Sequence, residues 1–202
     1  ITNQGNYGDQ ALIEANKEGY LLGRGTLTLR RQAQVSLTAT KTFVVNSMQD
    51  IHTINNVSVT LMLQKCEDGE NWENVQEADG SLVTRELTGF RGEKLTIPSD
   101  RPYTASKYNE KGAQIQYRWV ETSMNLDNQS VTAENGAYFK ENEILTPTGK
   151  DGTVVPMAPG AGGQDSTAHF MVIYNDDGSV TNRLIGNTEV TVTKDWAQTG
   201  WG

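Results

Sequence analysis

Three polar side chains stand where an alternating pattern places apolar ones. Lys41 shares a face of a period-two run with Leu37, Ala39 and Phe43; Glu121 shares one with Tyr117 and Trp119; Asn187 follows Ile185 by two. A charge buried without a partner costs several kcal/mol, so each group must be paired or neutral. Desolvation lowers a lysine pKa and raises that of a carboxylic acid, which lets a neutral amine face a neutral acid. A neutral amine is a nucleophile and a protonated carboxyl a proton donor. The alternative chemistry is none: a buried Lys–Glu ion pair with the asparagine hydrogen-bonded beside it.

The elements that must position these groups are strands. Ala33 to Val45 alternates apolar residues with Gln34, Ser36, Thr38, Thr40 and Thr42. Val57, Val59, Leu61 and Leu63 alternate likewise and run into the turn signal Glu67-Asp68-Gly69. Ile97 leads to Pro98, residues 115–121 form another strand, and residues 168–174 and 180–192 flank the hairpin turn Asn175-Asp-Asp-Gly178. Short strands separated by turn signals predict an all-β fold, an antiparallel Ig-like β-sandwich. One short helix is expected near the N-terminus, with Asp9 capping Gln10 to Glu18, Ala11, Leu12 and Ala15 on one face, and Gly19 closing it. Residues 146–165, with three prolines and the run Pro159-Gly-Ala-Gly-Gly163, read as a long loop.

An internal echo adds to this. Val35-Ser-Leu-Thr-Ala-Thr-Lys41-Thr-Phe43 is repeated in outline by Glu189-Val-Thr-Val-Thr-Lys194-Asp-Trp196, each with a lysine two residues before an aromatic. Such spacing reads as the start of one module followed by the start of the next, in a tandem array.

With Lys41-Thr-Phe43, the stretch Arg101-Pro-Tyr to Ile115-Gln-Tyr117-Arg-Trp-Val-Glu121, and Ile185-Gly-Asn187-Thr188 in order, the chain resembles the Cna B-type domains of Gram-positive surface adhesins and pilins. It departs with Arg101 before the proline, a longer spacer before Tyr108, and Trp119 where valine is usual. The resemblance implies residues 35–190 as the domain, 1–34 as an N-terminal extension or inter-module segment, and 191–202 as the start of a next module. It also implies an isopeptide bond between Lys41 and Asn187 promoted by Glu121, with Lys194 the corresponding lysine of the next module. Attack of the neutral amine on the carboxamide carbon, with Glu121 polarising the amide oxygen until ammonia leaves, is consistent chemistry, and strand packing would supply the effective concentration. The reaction would occur once, as self-maturation, so no enzyme turnover, cofactor or metal is expected. The implied role is a structural stalk repeat on a Gram-positive cell wall, outside the cell, with neighbouring repeats of the same chain as partners. The alternative is a ligand-binding adhesin module that uses an insertion at about 123–167 on a host protein or glycan.

Composition agrees with that setting. A net charge of −8 over 202 residues disfavours binding to nucleic acid, and no run is apolar and long enough for a membrane span. The lone Cys66 excludes an internal disulfide, and two histidines, His52 and His169, exclude a His-rich metal site. Leu145-Thr-Pro-Thr-Gly149 lacks the proline placement and trailing span of a sorting signal, and Ser166 and His169 assemble no triad. Asn175-Asp-Asp-Gly178 lacks the spacing of a calcium loop.

Overall fold

The computed structural model describes residues 10–15, 27–45, 55–90, 96–156 and 167–185. Asn187, Lys194, His52, Ser166 and the 159–163 run lie outside the described residues. In chain order the strands are β1 (Gln10–Ala15), β2 (Leu27–Gln32), β3 (Gln34–Leu37), β4 (Thr40–Val44), β5 (Asn56–Cys66), β6 (Glu73–Asn74) and β7 (Thr84–Phe90). They continue with β8 (Thr96–Pro98), β9 (Tyr103–Ser106), β10 (Gln116–Leu126), β11 (Gln129–Thr132), β12 (Ile144–Leu145), β13 (His169–Tyr174) and β14 (Val180–Ile185).

The architecture is all-β, as expected. One five-stranded sheet runs β11-β10-β5-β6, with β7 also paired to β5; a second runs β12-β13-β14-β4-β8. A single apolar core joins them: Val59, Leu61, Leu63, Trp119, Met124 and Leu126 from the first meet Phe43, Phe170, Val172, Val180 and Leu184 from the second. Burying such side chains stabilises the fold by about 1.5–3 kcal/mol each, which is why the alternation in β4, β13 and β14 is legible in the sequence.

The predicted helix is corrected. Residues Gln10–Ala15 are a strand, paired antiparallel with β2 so that Ile13 faces Leu29 and Ala15 faces Leu27. The segment is too short for its apolar spacing to separate a period of 3.6 from one of two, and the hydrogen bonds of β2 decide the matter. The run 33–45 is also not one strand. β3 pairs with β9 in a separate two-stranded sheet, and after Thr38-Ala39 the chain enters the second sheet as β4. Ala39, fully buried, sits at that crossing.

One pairing among the described strands is parallel: β4 lies beside β14 with Lys41 facing Val180 and Phe43 facing Asn182. Parallel neighbours cannot be joined by a tight turn. Here the first and last of the described strands in the two five-stranded sheets meet, with the others between them in sequence. Part of the 123–167 insertion also proves to be sheet edge: β11 extends the first sheet beside β10, and β12 extends the second beside β13.

Candidate crosslinking site

Lys41 and Glu121 meet in the dry interior between the two sheets. Both side chains are 0% exposed, and Lys41 Nζ donates to Glu121 Oε2 at 2.6 Å. β4 delivers the lysine inward between Ala39 and Phe43, and the Phe43 ring centre lies 5.6 Å from Nζ. Burial pulls the Lys41 amine down from 10.5 to about 8, against the charge and hydrogen bond of Glu121, which raise it.

The carboxylate spans two partners. While Oε2 accepts from Lys41, Oε1 accepts from Asn182 Nδ2 at 3.0 Å, and Asn182 is likewise fully buried. Asn182 Nδ2 also lies 3.1 Å from Met124 Sδ, and Asn182 Oδ1 has no hydrogen-bond partner. An orphaned buried carbonyl costs roughly 1–3 kcal/mol. A half-turn of the amide about Cβ–Cγ would bring Oδ1 to Glu121 Oε1, where a carboxyl carrying the shared proton could donate to it. The site thus holds an amine, a carboxyl and a carboxamide in one desolvated cluster, on three strands from two sheets.

Asn187, the expected partner, lies outside the described residues; among them the asparagine beside the expected pair is Asn182, a residue not expected from the sequence. Its signal was present: Val180, Asn182 and Leu184 alternate on a buried face, with Asn182 as the polar exception. The parallel register with β4 makes Asn182 a diagonal neighbour of Lys41.

Glu121 shares the inward face of β10 with Trp119, and a break in the ladder follows it directly. β10 pairs with β5 continuously from Gln116 to Glu121, then slips by one residue before Ser123. Such a bulge bends the strand and re-aims the side chains around it. The slip changes which residues point inward, so that Met124 and Leu126 beyond it enter the core in place of Ser123 and Asn125.

Three positions earlier, Arg118 points to the other face of β10. Its guanidinium donates twice to Gln64 Oε1, at 3.0 and 2.8 Å, and once to Tyr138 Oη at 3.1 Å, and lies 4.1 Å from the centre of the Trp72 ring. His169 Nδ1 lies 2.7 Å from Thr146 Oγ1. Cys66 is buried, with Sγ 3.4 Å from Asp68 Oδ1. No group of three or more metal-ligating side chains occurs among the described residues. Comparison with protein-family models, with curated proteins and with solved structures finds no match to this chain.

Proposed function

We propose that the chain is a structural stalk repeat of a Gram-positive surface adhesin or pilus-like protein, of Cna B-type, locked by an isopeptide bond between Lys41 and Asn182. The observation that carries this reading is the fully buried Lys41–Glu121–Asn182 cluster, in which one carboxylate holds both an amine and a carboxamide. An ion pair in that setting gains little over apolar packing, so stability alone is a poor reason for it. A reaction is a better one.

In the proposed step the proton shared by Lys41 and Glu121 resides on the carboxyl and leaves the amine neutral. Nζ attacks Asn182 Cγ, and Glu121 donates to the developing oxyanion. Nζ then gives up one proton, which passes by way of the carboxylate to Nδ2; the oxygen returns its proton to Glu121 as the carbonyl re-forms, and Nδ2 departs as ammonia. The Nζ–Cγ bond forms, the Cγ–Nδ2 bond breaks, and one ammonia leaves for each amide made. Nothing is oxidised or reduced. Fixed strands supply the proximity that such an exchange requires.

The bond would join strands β4 and β14, which are adjacent, parallel and at opposite ends of the domain. A pull on the chain from both sides loads this pair in shear. The crosslink would carry that load and leave residues 42–181 between them unstressed, which suits a tether outside the cell. It would also replace the disulfide that a chain with one cysteine cannot form.

Intact-mass measurement tests the reading: the purified chain is expected one ammonia lighter than its sequence, and Asn182→Ala restores the full mass. A full mass in the unaltered chain overturns it.

A further inference from the structure

At the bulge β5 alone does not hold the backbone of Glu121, the residue that reaches both Lys41 and Asn182. Glu121 faces Leu61 across the ladder, yet its own N–H and C=O are bonded on the other side. There β11 has already ended its pairing, which covers Ser123 to Leu126. Phe139, from the insertion, takes the place of the missing strand: its N–H donates to the Glu121 carbonyl at 2.9 Å. The return bond is not direct. The Tyr174 hydroxyl is inserted into it, donating to the Phe139 carbonyl at 2.6 Å and accepting from the Glu121 N–H at 3.2 Å. Three hydrogen bonds close a ring through Glu121, Phe139 and Tyr174.

Resting on the crosslinking reading above, we infer that Tyr174 is a positioning residue for Glu121, acting with Phe139 of the insertion. Tyr174 ends β13, which is paired with β14 so that Val172 faces Asn182 and Tyr174 faces Val180. The second sheet therefore carries Lys41, Asn182 and the phenol together, and the phenol fixes the first sheet's carboxylate against the other two. β13 is braced in turn by the insertion: the Tyr174 N–H donates to Glu141 Oε2 at 2.8 Å, and the Asn142 N–H to the Val172 carbonyl at 2.8 Å. Burial raises the Tyr174 phenol above its ordinary pKa, so it stays a hydroxyl and can donate and accept at once. A phenylalanine fills the same space and makes neither bond. The insertion then has a use inside the molecule: it completes the edge on which the carboxylate is mounted.

The test follows the full chain by intact mass after synthesis in a cell-free system, with tryptophan fluorescence reporting folding. In Tyr174→Phe the fluorescence plateau is expected as in the unaltered chain, while the later loss of ammonia slows by ~10- to 100-fold, the scale of an ångström-level misplacement. The alkaline limb of that rate's pH profile should also move to lower pH. Lys41 faces Glu121 from β10, Asn182 from β14 and the Phe43 ring, and a carboxylate held farther away raises the amine's pKa less. A merely structural phenol would change the folding phase and neither of these. An unaltered chain that loses ammonia at the same rate as Tyr174→Phe overturns the positioning role and leaves the crosslink standing. An unaltered chain of full mass removes both. If the variant does not fold, amide exchange in the unaltered chain decides: protection of the Glu121 N–H at the level of the β5–β10 ladder supports the ring, and free exchange overturns it.

Discussion

Strand β10 carries two charged residues three positions apart, and their fates differ. Arg118 lies on the outer face, partly wet, between the rings of Trp72 and Tyr138 and bonded to the neutral Gln64. Glu121 lies on the inner face, dry, bonded to a lysine and an asparagine. Arginine cannot lose its proton under ordinary conditions, and aromatic faces accept its charge without asking for it back. Lysine is different: once desolvated its amine approaches neutrality, and beside a carboxyl it can hand the proton across a 2.6 Å bond. The same strand therefore carries a cation stacked on aromatic rings on one side and, on the other, an acid buried against the Lys41 amine of β4. Burial and the choice of lysine over arginine separate a cation that keeps its proton from an amine that the crosslinking proposal can use as a nucleophile.

The sharpest way to break this contrast is to remove the inner amine. Lys41→Ala is expected to restore the full mass and to lower the unfolding free energy by about 5 kcal/mol or more in urea. A crosslink spanning about 140 residues is worth about 5 kcal/mol by analogy with a disulfide. Leaving the buried Glu121 carboxyl without a hydrogen-bond partner on that side adds a further roughly 1–3 kcal/mol. A variant as stable as the parent would place Lys41 with Arg118 as packing.

Glu121→Gln keeps the shape and removes the acid. Ammonia loss should slow by roughly 10²- to 10⁴-fold, the usual worth of a positioned proton donor, while circular dichroism remains that of the folded sandwich. Crosslinking at the parental rate would show that the carboxyl is only a counter-ion.

A smaller effect is expected from pH in the uncrosslinked Asn182→Ala chain. Below about pH 8 the Lys41 amine is charged in both folded and unfolded states, and the burial penalty is fully present. Between about 8 and 10.5 the unfolded state holds more protons, so stability rises with pH, by about 3 kcal/mol in all. The difference between this variant and one that also carries Lys41→Met isolates the amine. A flat difference across that window would mean the amine is not depressed.

The outer cluster should respond least. Arg118→Ala loses the stacking and the paired donors to Gln64, worth about 1–2 kcal/mol at a partly exposed site, and leaves the ammonia loss unchanged. A change in crosslinking yield would couple the two faces of β10.

Much of this could be read in advance from particular residues. Lys41 and Glu121 break otherwise apolar alternations, and both are found fully buried and in contact. The all-β class followed from the same alternations and from turns such as Asp68-Gly69 and Asp177-Gly178, whose glycines adopt positive φ. The helix over residues 10–18 failed because six residues of strand and a short amphipathic helix share the same apolar spacing, and the distant β2 broke the tie. Asn182 escaped notice because one asparagine between a valine and a leucine resembles any strand polar residue until its neighbour is known. The bond network around Tyr174 had no local signal, since its hydroxyl meets the backbone groups of Glu121 and Phe139, which lie 53 and 35 positions away.

By itself, then, the sequence determined which side chains would be buried against their nature. Period-two alternation dictates the face a residue occupies whatever strand it pairs with, and desolvation follows from the face. Which buried groups would meet was decided by tertiary structure. The parallel register of β4 with β14 placed Asn182 near Lys41, the bulge after Glu121 turned Met124 and Leu126 back into the core, and a tyrosine hydroxyl from β13 bonded to the backbone there. Register and sheet order arise from packing between segments about 60 to 140 positions apart, and no local pattern encodes a contact of that kind.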